Sequence, residues 1–120
     1  MKSNPKNNGV VLIVDDDPDA ISMLNAALSE AQMTALVALS GEQALTIARR
    51  IRPDLILMDA MMPGMDGFEA CQKIKSDTVI AHIPVVFMTG LSASEDMVKG
   101  FDSGGIDYVT KPIDLKALIA

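Results

Sequence analysis

Five short apolar runs recur along the chain: Val10–Val14, Ala35–Leu39, Leu55–Met58, Val85–Met88 and Tyr108–Thr110. Most are nearly continuous in apolar residues and rich in Val, Ile or Leu. Strands that show one face to water alternate instead, so these runs predict parallel strands covered on both faces. Between them the period changes to that of a helix. Asp17-Pro18 supplies an N-cap and a first-turn proline, and Ile21, Leu24, Leu28 and Ala31 follow at helical spacing. Ser40 and Gln43 stand at capping-box spacing before a stripe of Ala44, Ala48 and Ile51. Gly67 opens a third segment, with Phe68, Cys71 and Ile74 on one side. Ser92 and Glu95 repeat the capping spacing before Met97, Val98 and Phe101, and Gly104-Gly105 stops that helix. A last helix starts near Ile113 and is expected to be cut off at Ala120.

Strand and helix thus alternate five times, which predicts an α/β domain with a parallel sheet and right-handed crossovers. At 120 residues the chain has room for one such domain. Residues 1–8 are polar and read as a flexible leader, and residues 9–120 form the domain. Apolar residues make up 49% of the chain but aromatics only 3%, so the nine Met help to fill the core. The net charge of −6 argues against direct nucleic-acid binding, which needs clustered Lys and Arg. No apolar stretch resembles a secretory signal or reaches membrane-spanning length, and the lone Cys71 excludes an intrachain disulfide. A cytoplasmic domain without membrane contact is the expectation.

The chemistry gathers where the runs end. Val10–Val14 leads into Asp15-Asp16, Leu55–Met58 into Asp59, Val85–Met88 into Thr89, and Tyr108–Thr110 into Lys111. Open parallel sheets bind ligands just beyond the carboxyl ends of their strands. Three carboxylates, a hydroxyl and an ammonium are therefore expected on one edge. Carboxylates held together repel, so either some keep a proton or a cation neutralises them. An all-oxygen, partly solvated site suits Mg²⁺. With such an ion in place, Lys111 and Thr89 are suited to the oxygens of a phosphoryl group, and Asp59 is the carboxylate left to act as nucleophile.

The stretches Val-Asp-Asp-Asp-Pro (14–18), Leu-Met-Asp-Ala-Met-Met-Pro-Gly-Met-Asp-Gly (57–67), Met-Thr-Gly (88–90) and Asp-Tyr-Val-Thr-Lys-Pro (107–112) resemble the receiver domains of two-component response regulators. The resemblance covers the chain from about Val10 onward. It implies a flavodoxin-like, doubly wound five-stranded sheet in the order 2-1-3-4-5 with five helices. It implies Asp59 as phosphoacceptor, and Asp15 and Asp16 as the acidic pair that organises Mg²⁺ (or Mn²⁺), with Asp16 the more direct ligand. The backbone carbonyl of Met61 would be a further metal ligand. Thr89 matches the switch hydroxyl, Lys111 the phosphate-binding lysine and Tyr108 the aromatic switch, and Pro112 suggests a cis bond after Lys111. Implied partners are a sensor histidine kinase or histidine phosphotransfer protein, an output domain joined beyond this chain, and a second copy in a phosphorylation-dependent homodimer. Met97, Val98, Phe101 and Tyr108 lie near the surface used for such docking. The domain would assist its own phosphorylation and dephosphorylation but turn over no free metabolite. Met61 and Leu91 carry no polar group to orient an attacking water, so slow self-dephosphorylation is expected.

Other readings weigh less. A haloacid-dehalogenase-type phosphohydrolase expects a second Asp two residues after its nucleophile, where Met61 stands. No P-loop or Gly-rich dinucleotide turn follows the first run. A receiver-like interaction module controlled without phosphate is the alternative. Asp17 reads as a helix cap, Asp66 and Asp77 as cap or turn residues, and Gly64 and Gly67 as sites of backbone freedom. His82 reads as a surface-loop residue, Cys71 as buried packing, and the Met61–Met62 pair as loop packing.

Overall fold

The computed structural model describes residues 9–60, 62, 64–89 and 107–110, with Thr89 and residues 107–110 described by their backbone. The elements run β1 (Val10–Val14), α1 (Pro18–Glu30), β2 (Thr34–Ala38), α2 (Gly41–Ile51), β3 (Leu55–Asp59), α3 (Gly67–Lys75), β4 (Val85–Thr89) and β5 (Asp107–Thr110). All strands are parallel and form one sheet in the order β2-β1-β3-β4-β5. The expected fourth and fifth helices fall outside the described residues.

Alternation along each central strand divides the core in two. Leu12, Val14, Ile56, Met58, Val85 and Phe87 face α2 and α3, packing with Ala44, Leu45, Ala48, Phe68, Cys71 and Ile74. Val11, Ile13, Leu57, Val86 and Met88 face the other way, onto Leu24 and Leu28 of α1. Both faces are buried, which is why these runs lack polar alternation. Burying one such side chain is worth about 2 kcal/mol, so each central strand contributes from both faces.

Each helix starts where a side chain satisfies its first amides. Asp17 caps α1 by accepting from the Asp19 N–H, Ser40 caps α2 through the Gln43 N–H, and Asp66 caps α3 through the Glu69 N–H. The capping box at α2 is displaced: Gln43 Oε1 accepts from the N–H of Leu39 rather than of Ser40. That bond turns the chain at Leu39. It ends β2 at Ala38, one residue before the expected end, and leaves Leu39 52% exposed.

Ile51 departs from its expected place. It lies on the correct face of α2 for packing with Ala44 and Ala48, yet it is 53% exposed. It is the last helical residue, and Arg52 follows with a left-handed φ of 56°, so periodicity gave the direction but the helix has passed the end of the core. Ala31 likewise serves as the C-cap of α1 rather than as part of its buried stripe. Asp77 forms a turn by accepting from the Val79 N–H, His82 is exposed, and Cys71 and Met62 are buried, as expected.

Candidate functional site

Strand parity builds the site. β1 and β3 pair in register up to Val14 opposite Met58. One step further sets Asp15 opposite Asp59. Asp15 shares the parity of Val11 and Ile13, and Asp59 that of Leu57, so both belong to the α1 side of the sheet. Each is the first acidic residue after a fully apolar run, so the sheet delivers its charge only where the covering helices end.

The three consecutive aspartates divide the work. Asp15 is fully buried, and its Oδ1 accepts from the Asp17 N–H at 3.0 Å. Its own N–H donates to the Ala38 carbonyl, carrying the β1–β2 ladder one residue past the strand. Asp16 projects at the bend and is exposed. Asp17 turns away to cap α1. Asp15 and Asp16 thus converge with Asp59, which is 7% exposed. One oxygen from each of the three lies within 4.8 Å of the others.

That donor set fits a hard divalent cation. It offers carboxylate oxygens alone, one from a rigid buried residue, one from a strand end and one open to water. Mg²⁺ takes few protein carboxylates and keeps several waters. Imidazole and thiolate, which softer metals prefer, are absent from this cluster.

Asp59 is also clamped from behind. The Ala60 N–H donates to the Met88 carbonyl, and the Gly67 N–H donates to the Ala60 carbonyl. A β-carbon at Gly67 would overlap the Asp59 carbonyl oxygen and come within 3.0 Å of its carbon and of Ala60 Cα. Gly67 is therefore required for close approach and not, as expected, for backbone freedom. Gly64 does have the left-handed φ of 73° and open space around it.

Thr89 ends β4 one residue past Met88, the register partner of Asp59, so its backbone stands at the same edge. Tyr108 lies in β5 opposite Phe87. Met61, Leu91, Met97, Val98, Phe101, Lys111 and Pro112 lie outside the described residues. The clamping glycine carries no chemical signature, and only the short separation between Asp59 and a helix start hinted at it.

With the parallel sheet and its acidic edge established, residues 11–120 match the family model described as the response regulator receiver domain, and the chain belongs to that family. It is 44% identical over 110 residues to response regulator PleD of Caulobacter vibrioides, an alignment spanning 92% of this chain and 24% of PleD. It is 39% identical over 110 residues to the DNA-binding dual master transcriptional regulator RpaA of Synechocystis, spanning 92% of this chain and 46% of RpaA. The chain thus covers less than half the length of these relatives. The solved structure of chemotaxis protein CheY4 of Vibrio cholerae superposes with a TM-score of 0.86 at 28% identity over 92% of each chain. The protein is a receiver domain of the two-component type, and receiver domains are phosphoacceptors. Among the described residues no helix is long and apolar enough to cross a membrane.

Proposed function

We propose that Asp59 accepts a phosphoryl group from the phosphohistidine of a sensor histidine kinase or a histidine phosphotransfer protein, in the cytoplasm. The convergence of Asp15, Asp16 and Asp59 at adjacent strand ends carries this reading. An Asp59 carboxylate oxygen attacks phosphorus, and the bond to the donor imidazole nitrogen breaks with its electron pair staying on that nitrogen. An acyl phosphate results. Mg²⁺, or Mn²⁺ in its place, would be held by Asp15, Asp16, Asp59 and the Met61 carbonyl, and when bound it supplies positive charge that offsets the charge on the transferring oxygens. Thr89 and Lys111 take further phosphoryl oxygens. As Thr89 is drawn in, Tyr108 follows and the docking surface changes, a population shift set by one local charge event. The domain then acts on an output domain or a second copy of itself. It promotes its own phosphorylation and hydrolysis and has no free metabolite as substrate.

The test is intact mass after incubation with acetyl phosphate and Mg²⁺. One phosphoryl adduct is expected, lost in Asp59→Asn and lost with a chelator. An adduct that survives Asp59→Asn would refute the assignment. Divalent binding with no adduct would instead favour an interaction module that works without phosphate.

A further inference from the structure

We infer that Gly41, eighteen residues before the phosphoacceptor and on a different helix, is a positioning residue for Asp59 that acts through Met65 and the first turn of α3. The inference rests on the metal-site reading above. Gly41 opens α2 and is buried. Its φ lies outside the left-handed range, so the backbone does not require glycine there. Space does. A β-carbon at Gly41 would lie 2.8 Å from Met65 Sδ, 3.1 Å from Met65 Cγ and 3.2 Å from Ala70 Cβ. Met65 belongs to the loop that follows Asp59, and Ala70 to the first turns of α3.

The start of α3 is therefore held between two glycines. On one side, Met65 and Ala70 press on Gly41. On the other, Gly67 touches the backbone of Asp59 itself. Neither support yields readily. The start of α2 is tied by the Ser40 cap and by the bond from the Leu39 N–H to Gln43. The Asp59–Ala60 backbone is tied to β4 through the Met88 carbonyl. Phe68 rests on Phe87 at a ring distance of 4.9 Å, which fixes α3 over the sheet. A displacement imposed at Gly41 falls first on the Met65 side chain, and what that side chain does not take up passes through Ala70 and α3 toward Asp59. There it disturbs a carboxylate that must meet Asp15 and Asp16, and Mg²⁺ tolerates little departure from octahedral geometry.

The experiment is a Mn²⁺ titration followed by electron paramagnetic resonance of the free ion. It uses the whole chain as wild type, Gly41→Ala, Met65→Ala, the double variant and Asp59→Asn. Gly41→Ala pushes α3, and Met65→Ala removes its support. Each single change is expected to raise the Kd about tenfold, the scale on which groups that orient metal ligands act. In the double variant the new methyl group occupies the space that Met65 vacates, so the Kd should return to within about twofold of wild type, a coupling of opposite sign to the single losses. Metal-free thermal melts record the cost of the overlap by itself, and titrating well below the lowest melting temperature makes a change in Kd a report of positioning and not of unfolding. If Gly41→Ala does not fold, Met65→Ala and the double variant, which is relieved of the Met65 overlap and keeps only the milder 3.2 Å approach to Ala70, still give the contrast. Single variants that match wild type, or a double variant that compounds the losses, overturn the inference. Wild-type protein that binds no Mn²⁺, or binds it equally well after Asp59→Asn, overturns the metal site and this inference together.

Discussion

At the carboxyl end of the strands, Asp15, Asp16 and Asp59 bring three carboxylate oxygens within 4.8 Å of one another. At the opposite end stand all the Lys and Arg of residues 9–89: Arg49 and Arg50 in the last turn of α2, Arg52 as its C-cap, and Lys73 and Lys75 in the last turn of α3. Cations suit helix C-termini. Several charges there also have specific partners. Arg49 Nε donates to Asp77 Oδ2 at 2.7 Å. Lys75 Nζ donates to the carbonyls of Ala81 and Ile83 at 3.0 and 2.7 Å. Asp54 accepts from the Val10 N–H and returns its own N–H to the Val10 carbonyl. One end of the sheet gives several of its charges a partner, whether an opposite charge, carbonyls or an N–H, which holds chain segments together. The other gathers like charges, a donor set that fits a cation. The difference separates the part of the molecule that maintains the fold from the part that uses it.

The largest expected effect lies at the basic end. Lys75→Met keeps the apolar stem and removes the ammonium that two carbonyls share. Charge-assisted hydrogen bonds at a half-buried position support a loss of about 2 kcal/mol, measurable by urea unfolding. Mn²⁺ affinity should hold, and a variant that keeps full stability but loses the metal would break the division between the two ends.

At the acidic end the sign reverses. Asp59→Asn removes one of three crowded charges and should stabilise the metal-free domain by about 1 kcal/mol. The stabilisation that wild-type protein gains from added Mg²⁺ should shrink at the same time. A destabilised metal-free variant would show that the carboxylates are not in net repulsion.

The smallest effect concerns Asp77, whose carboxyl is held below its ordinary value of 3.8 by the hydrogen bond from Arg49 first, then by the Val79 N–H and the Arg49 charge. A lowered folded-state pKa means that the contribution is complete above the unfolded value and is lost as pH falls through the folded one. Wild type and Asp77→Asn should therefore differ at neutral pH and converge in acid below 3.8. Because the pair is exposed, the difference should be small and should weaken with salt. A difference that persists in acid would assign the effect to the Asp77 turn and not to its charge.

Much of the fold was legible because burial on both faces leaves uninterrupted apolar runs, and strand ends mark where charge is tolerated again. Asp15, Asp16 and Asp59 could be read as a group for that reason. Ile51 departs from the sequence reading because periodicity encodes a direction around an element and not its height along the core, and Leu39 because an apolar run does not show the side chain that turns the backbone out of the strand. Gly41 and Lys75 carried no readable signal, and Gly67 was legible as a helix start but not as a close contact. The two glycines matter for an atom they lack, and the ammonium of Lys75 finds carbonyls whose positions depend on the finished fold. Cys71 was legible as packing, and burial pushes its thiol up to about 11, against the opposing pull of Lys75.

The division of β1 between two cores also gives the strand a reading frame. A single residue inserted within Val10–Val14 would exchange the two apolar faces, which the core can partly absorb, because each accepts Val, Leu or Ile. It would also turn Asp15 to the other side of the sheet, away from Asp59. Insertions of one residue in β1 should thus abolish signalling before they abolish folding. Changes of length are accordingly expected in the loops at the basic end, where none of the three clustered carboxylates depends on the count.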